Sequence, residues 1–183
     1  MFRRLAVLSL ALVLGACATP VNRDFDASRD FGAYRTWGWK EPGVQYRPDD
    51  PRIKSDLTEQ RIRQAVAEQL DQRGLRMAQA GGKVDVQVQT YLIVENRQQM
   101  INTNYGGGPW GNGWGGWGGM SETRSIDYKV STLQIDFLDG KDGKLVWRGS
   151  TEQVVDTDTN NPAARDTAIR QTVAKVLAQY PPR

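Results

Sequence analysis

The chain has 183 residues, with 24 Lys and Arg against 21 Asp and Glu, a formal net charge of +3, one cysteine and no histidine. The lack of histidine excludes Ser-His and Cys-His catalysis, a histidine proton shuttle and the common zinc sites. A single cysteine excludes an internal disulfide, and we expect no cofactor.

Residues 1–16 have the three parts of a bacterial export signal. Two arginines form a positive start, a short apolar run follows, and small residues precede Cys17. The run is shorter than the about 20 apolar residues that a helix needs to cross a bilayer, so it predicts a removed signal. Residues 14–17, Leu-Gly-Ala-Cys, resemble the lipobox of bacterial lipoproteins, in which the cysteine thiol takes a lipid and the signal is cut before it.

Lipidation of Cys17 predicts permanent attachment to a membrane, because two or three acyl chains such as palmitate hold far better than one. In bacterial lipoproteins, an Asp directly after the lipidated cysteine favours retention in the inner membrane, whereas this chain has Ala18 at that position. The resemblance therefore implies attachment to the outer membrane, facing the periplasm. The alternative is an ordinary secretory signal beside an incidental cysteine. Removal of residues 1–16 takes the formal charge from +3 to +1, which favours no nucleic-acid partner.

The mature chain predicts a polar tether at 17–30 and one domain at 31–183. Aromatic residues favour a strand at 31–39, and we expect its two tryptophans to pack in the core. Three prolines within 40–51 predict a surface loop.

Two amphipathic helices are predicted. The first covers 56–73 and begins with a capping pattern of Asp56 and Glu59. Its apolar stripe consists of Ile62, Val66 and Leu70. The second begins at the cap Asn161 and ends at the final prolines. Its buried stripe consists of Ile169, Val173, Val176 or Leu177, and Tyr180.

Three strands are predicted between the helices. Alternating apolar residues indicate a strand at 84–95. A longer strand is expected at 123–137, where the apolar residues change parity near 131–132. That change predicts a bulge or a change of covering layer. Two Asp-Gly turns at 139–144 predict a hairpin to a strand that ends near Val155.

The acidic residues predict neither a metal site nor catalysis. Asp136, Asp139 and Asp142 lack the alternating ligands and the closing Glu of a calcium loop. Carboxylate catalysis needs two acids that converge in a cleft, and the candidates cluster in predicted loops and turns. Those candidates are Asp24, Asp26, Asp30, Asp156 and Asp158.

The stretch 102–120 is dense in glycine and tryptophan and predicts a mobile loop between strands. It is either a flexible connection whose rings settle on the domain surface or an adaptable binding loop. In the second case its aromatic faces would take a sugar ring, a peptide or the lipid interface. The candidate binding residues are Tyr105, Trp110, Trp114 and Trp117.

These pieces in this order resemble the bacterial lipoprotein family called domain of unknown function 4136. The resemblance includes the lipobox, the Gly/Trp loop, the strand from Val84 and the segments 31–37, 61–75, 132–137, 145–149 and 173–182. It covers nearly the whole mature chain and implies an envelope location and one α+β domain. The family carries no activity or catalytic residue that could be transferred.

The order strand, helix, three strands, helix predicts an antiparallel sheet of about four strands with both helices on one face. We therefore predict a lipid-anchored envelope protein with a non-enzymatic structural or interaction role in the periplasm. Its expected partners are the membrane, through the lipid on Cys17, and an envelope protein or cell-wall glycan. The alternative function is a glycan- or peptide-binding module that uses the Trp-rich loop.

Overall fold

The computed structural model describes residues 20–79, 81–104, 121–154 and 161–182. The elements in chain order are β1 (Val21–Phe25), a 3-10 turn (Phe31–Ala33), β2 (Thr36–Arg47), α1 (Asp56–Gln72), β3 (Arg76–Met77), β4 (Val86–Asn104), β5 (Ser121–Asp139), β6 (Leu145–Val154) and α2 (Pro162–Leu177). The strands form one sheet in the order β1-β6-β5-β4-β2-β3. The α+β class with two helices is confirmed.

The prediction of about four antiparallel strands is wrong, because the sheet has six strands and is mixed. β2 runs parallel to β3 and to β4, whereas the other neighbours are antiparallel. The parallel pairing of β2 and β4 is possible because α1 provides the crossover between them. β1 lies inside the predicted tether and pairs with β6 from Val21 to Phe25.

The prediction of a loop at 40–51 is also wrong for residues 40–47, because β2 continues to Arg47. The pairing of β2 with β4 shifts register between Trp39 and Val44. Pro42 and Gly43 lie in that irregular section, where a residue without an N–H group costs no ladder hydrogen bond.

The first predicted helix is confirmed with a different cap. Its apolar stripe of Ile62, Val66 and Leu70 is buried. Ser55, rather than Asp56, is the N-cap, and its side-chain oxygen accepts the N–H of Thr58 at 3.3 Å. Serine serves as well as aspartate here because either oxygen can satisfy a free N–H of the first turn.

The second helix begins at its predicted cap, where the Asn161 side chain accepts the N–H of Ala163 at 2.9 Å. The helix ends at Leu177, so Tyr180 lies beyond it. Tyr180 is nevertheless buried, against Phe31, Phe137 and Trp147.

Both helices pack on one face of the sheet, which we call the helix face. Its buried strand residues include Trp37, Val86, Val88, Ile135, Phe137 and Trp147. Trp39 packs against this core with part of its ring exposed. The opposite face, called the open face, carries the alternate residues of each strand.

The change of apolar parity in β5 is not a bulge. β4 and β5 pair without interruption from Val86 opposite Asp139 to Asn104 opposite Ser121. Leu133, Ile135 and Phe137 therefore point to the helix face, whereas Ile126, Tyr128 and Val130 point to the other side. Instead, the apolar side chains of β5 lie on the helix face after residue 132 and on the opposite side before residue 131.

The hairpin from β5 to β6 forms at the predicted turn. The N–H of Asp139 donates to the carbonyl of Lys144 at 2.8 Å. Gly143 has a φ of 68°, in the left-handed region that favours glycine. This turn fixes the register between β5 and β6.

Candidate interaction surface

A two-stranded ribbon, which we call the arm, is formed by residues 94–104 of β4 and 121–129 of β5. Beside it, β4 is last paired with β2 at Ile93, and β5 is last paired with β6 at Val130. Among the described residues, each strand of the arm then has only the other as a neighbour. At about 3.4 Å per residue the arm is roughly 35 Å long.

Among the described residues, no strand pairs with either outer edge of the arm, so the backbone N–H and C=O groups on those edges lack a strand partner there. A ribbon of two strands is only marginally stable in water, and free edges are ready templates for another strand. Neither strand of the arm contains a proline that would block such pairing.

One side of the arm carries three larger apolar or aromatic residues, Ile101, Ile126 and Tyr128, which we call the arm stripe. Ile126 lies opposite Gln99 and Ile101 lies opposite Arg124, so the two isoleucines are diagonal neighbours. Ile101 is 39% exposed and Ile126 is 43% exposed. The reverse side is polar except for Val94, which is half-buried at the root of the arm, and Met100, which is exposed.

An ion pair braces the root of the arm. The Arg97 guanidinium donates to both carboxylate oxygens of Glu152, at 2.9 and 3.0 Å. The strand register places Val130 between these two residues, so the pair crosses over that buried side chain. Arg97 lowers the pKa of Glu152. An exposed pair adds little stability, but its bidentate geometry links the first residues of the arm to β6.

Polar groups satisfy one another on the open face at the base of the arm. Asp24, Arg148, Asp136 and Gln89 stand side by side on four neighbouring strands. Arg148 donates to Asp136 through Nε at 2.7 Å and Nη2 at 2.6 Å. Asp136 is only 3% exposed, and its carboxylate raises the pKa of Arg148.

A second row of the open face joins the first by hydrogen bonds. The Tyr91 hydroxyl donates to Gln89 at 2.8 Å, and the Gln89 amide donates to the Pro42 carbonyl at 3.2 Å. The Arg47 guanidinium lies 6.0 Å from the centre of the Tyr91 ring. These groups are used internally, so this part of the open face is a rigid base and the arm is the exposed extension.

Cys17 and the four predicted loop residues Tyr105, Trp110, Trp114 and Trp117 lie outside the described residues. The predicted loop boundary at 102 is corrected, because residues 102–104 belong to β4. Asn104 and Ser121 are paired at the end of the arm.

Each of the aspartates considered for calcium is paired with an arginine of the chain. Asp136 is paired with Arg148, whereas Asp139 and Asp142 are paired with Arg29. Within the described ranges, no group of three or more acidic or sulfur side chains is arranged to hold a metal ion.

The candidate catalytic acids within the described residues also have local roles. The Asp30 side chain caps the 3-10 turn by accepting the N–H of Gly32, and Asp26 pairs with Arg29. Asp24 lies on β1 beside Arg148. Asp156 and Asp158 lie outside the part of the chain that the structure describes.

Sequence reasoning missed the arm, although one signal pointed to it. The apolar residues of β5 change side at 131–132, next to Val130, the last residue that pairs with β6. A strand that leaves a helix-covered sheet no longer has a helix on that side, so its apolar pattern can change there.

The family assignment follows from a comparison of the whole sequence. A sequence model described as Domain of unknown function (DUF4136) matches residues 21–182. The chain belongs to the DUF4136 family. The comparison with curated proteins gives no match.

One solved structure shares the fold of this DUF4136 chain, and two others also align with it. A PDZ domain protein from Parabacteroides distasonis aligns with a TM-score of 0.54 and 17% identity over 90% of this chain, which spans 36% of that longer one. A DUF4136 family protein from Bacteroides thetaiotaomicron aligns with a TM-score of 0.48 and 19% identity, covering 84% of this chain and 93% of that one. A PelC dodecamer from Paraburkholderia phytofirmans gives a TM-score of 0.45 and 12% identity, covering 88% and 95%.

The helices α1 and α2 are the two longest in the described chain. Neither they nor any other helix of the described residues is long and apolar enough to cross a membrane.

Proposed function

We propose that this DUF4136 chain is a lipid-anchored protein of the bacterial cell envelope that acts by binding a partner protein rather than by catalysis. Its lipid would be carried by Cys17, and its position would be the periplasmic face of the outer membrane. The folded body would hold the arm, and the arm would make the contact.

Support for the anchor comes from the sequence. Leu-Gly-Ala-Cys at 14–17 follows a short apolar run, and the only thiol of the chain stands at Cys17. An apolar run of this length suits a removed signal better than a spanning helix. β1 begins at Val21, so three residues separate the modified cysteine from the first strand.

The observation that carries the contact role is the arm. Its strands continue far past the last pairing with β2 and β6, and its stripe exposes two isoleucines beside a half-buried tyrosine. A strand added to a free edge gains main-chain hydrogen bonds, while side-chain contacts provide the specificity. The free edges and the apolar stripe therefore favour a protein partner over a glycan.

Photo-crosslinking in intact cells tests this role. A photoreactive amino acid at Ile126 or Ile101 should give one discrete product, whose second component is identified by mass spectrometry as an envelope protein. The matched control is the same amino acid at Gln60, an exposed position on α1. Equal products from Gln60 and Ile126, or no product from either isoleucine position, would reject the arm as the contact surface.

A second candidate function is a glycan- or peptide-binding module that uses the Trp-rich loop. It is favoured by one observation from the sequence: Tyr105 and three tryptophans stand close together among glycines between β4 and β5. Replacement of Trp110, Trp114 and Trp117 by alanine should then abolish retention on cell-wall glycan. Unchanged retention would leave only the protein-binding proposal.

A further inference from the structure

The chain enters the sheet beside the root of the arm. Val21, the first residue of β1, lies opposite Thr151 of β6, and the hydroxyl of Thr151 donates to the carbonyl of Pro20 at 3.1 Å. The next residue of β6, Glu152, accepts the two hydrogen bonds from Arg97 of the arm. The point where the chain leaves the body toward Cys17 is therefore close to the ion pair at the root of the arm.

The strand directions place this point at the same end of the sheet as the arm. β1 is antiparallel to β6, and β6 is antiparallel to β5, so β1 and β5 run in the same direction. The arm contains the first part of β5, and Val21 begins β1. Through Thr151, Val21 is level with Leu133 of β5. A straight continuation of β1 back to Cys17 would therefore be level with Lys129, where the arm begins.

The connection between the predicted lipid site and the sheet is short. Three residues separate Cys17 from Val21. An extended chain covers at most about 3.6 Å per residue, so Cys17 stays within about 14 Å of Val21 in any conformation. A lipid on Cys17 would therefore hold the membrane surface close to this end of the sheet.

This short reach excludes an arm that points into the membrane. At about 3.4 Å per residue, Ser121 at the end of the arm lies about 40 Å from the level of Val21 along the strands. An arm directed at the bilayer would therefore enter the hydrocarbon with charged side chains such as those of Arg124 and Asp127, which are exposed. Burial of such charges in hydrocarbon is strongly unfavourable.

The same reach excludes an arm that points straight away from the membrane. The β5–β6 turn at 139–144 lies about 25 Å from the level of Val21 on the side opposite the arm. With the arm directed away, the short connection would draw this turn into the bilayer. The turn contains two aspartates and two lysines within 139–144, so that position is also unfavourable. The strands, and with them the arm, are therefore expected to run along the membrane surface.

The contact surface of the arm is small. One face is about 35 Å long and about 10 Å wide, because neighbouring strands lie about 4.8 Å apart, and it offers roughly 350 Å². A stable complex that forms from solution buries about 800 Å² on each partner. Two proteins held in one membrane need less contact, because confinement raises their effective concentration.

We propose that the arm lies along the membrane that holds the lipid, and that its partner is an integral or lipid-anchored protein of that same membrane. The arm stripe would meet a part of the partner that lies close to the bilayer surface. This inference rests on the proposed anchor and contact role, and it adds the orientation of the chain and the class of partner.

Energy transfer from the lipidated full chain to labelled lipids tests the orientation. Because the sulfur of Cys17 would be modified, Ser125→Cys in the arm or Lys141→Cys in the turn supplies the one free thiol for a donor dye. Both positions are exposed. In vesicles of phosphatidylethanolamine and phosphatidylglycerol with acceptor dyes on the headgroups, the two transfer efficiencies should agree within about twofold, because strands that lie flat keep both ends near the surface. Transfer from only one position would show an upright chain and would overturn the proposal.

A longer connection provides the matched control. Insertion of about 20 Gly and Ser residues between Ala18 and Thr19 leaves the lipobox and β1 intact, so the melting temperature should not change. Transfer at both positions should fall at least about twofold, because a flexible linker of this length spans roughly 25–30 Å on average. Unchanged transfer at Ser125→Cys would show that the arm itself binds lipid, which would overturn the proposal of a protein partner.

The photo-crosslinked product at Ile126 tests the class of partner. The second protein should stay in the membrane fraction after alkaline carbonate extraction, which removes soluble and peripheral proteins. A soluble periplasmic partner would overturn this inference and leave the proposed contact role standing. No product at all would reject the contact role, and this inference with it.

Discussion

Asp136 carries a buried charge in the middle of the sheet. Its carboxylate, 3% exposed, accepts two hydrogen bonds from Arg148 and one from the amide of Gln134 at 3.1 Å. A buried carboxylate without such partners would be strongly unfavourable. The buried carboxylate therefore requires a cation at position 148, although the ion pair itself adds little net stability.

Loss of the cation should reveal this dependence. Arg148→Met leaves Asp136 without its partner and should lower the free energy of unfolding by about 2–3 kcal/mol, measured by urea denaturation. The double variant Asp136→Leu/Arg148→Met should recover most of that loss, because no charge is then left buried. Equal stability of Arg148→Met and the wild type would show that the pair is unimportant.

Asp139 should give the protein part of its stability dependence on pH. The N–H of Lys141, at 2.8 Å, and the Tyr34 hydroxyl, at 2.8 Å, lower the pKa of its carboxyl group. A folded pKa below the unfolded value means that this stabilisation is present above about pH 4 and is lost as the pH falls through the folded pKa.

The corresponding test compares Asp139→Asn with the wild type by thermal unfolding. The variant should be less stable by roughly 1–2 kcal/mol at pH 7, and the difference should shrink at pH 3. Asp127→Asn, an exposed change in the arm, is the control and should show little difference at either pH. A stability difference between Asp139→Asn and the wild type that is the same at pH 7 and pH 3 would contradict the assignment of this pH dependence to Asp139.

Close packing between strand β6 and helix α2 depends on a glycine. A Cβ atom on Gly149 would lie 2.4 Å from the Trp147 ring and 2.8 Å from Val176. Gly149→Ala should therefore lower the free energy of unfolding by about 1–3 kcal/mol. Ser150→Ala, the next residue and on the other face, should stay within about 0.5 kcal/mol. Equal effects of the two variants in urea denaturation would refute this packing.

The arm should open more readily than the sheet that bears it. Among the described residues, the two strands of the arm pair only with each other there. Residues 86–92 and 131–138 instead lie in strands that have a paired neighbour on both sides. Hydrogen exchange followed by NMR should be at least about tenfold faster at 96–103 and 122–129 than at those central positions. Equally slow hydrogen exchange of the arm amides and the central amides in the isolated protein would contradict this prediction. It would show that the edges of the arm are already paired.

The two helices and the β5–β6 hairpin could be predicted because their signals are local. An apolar residue every fourth position and a pair of Asp-Gly turns each act over a few residues. The missing strands have no such signal, since β1 has five residues and β3 has two. The parallel pairing of β2 with β4 depends on the path of α1, which periodicity does not reveal.

At the scale of the whole molecule, the candidate surfaces differ in how far the sequence reveals them. The arm is formed by two strands joined along the chain, and the parity change at 131–132 was visible in advance. A cavity at the end of the helix face is lined by Arg35, Arg73 and Tyr180, which come from distant segments. No spacing rule connects residues so far apart, so only the folded chain reveals it.

The whole molecule is thus a small α+β body with an extended arm on one side and a short segment between Cys17 and β1. Each part has a separate role in the proposal: anchor, body and contact. The contact role in the envelope requires that the chain is exported and held there, so the state of Cys17 decides the account.

Intact-mass analysis of the native protein extracted from membranes is the most direct test. We expect a chain that begins at Cys17 and carries a diacylglycerol on its sulfur, and we expect Cys17→Ser to lose both the lipid and the membrane association. A chain that begins at Met1 with an unmodified thiol would contradict the account.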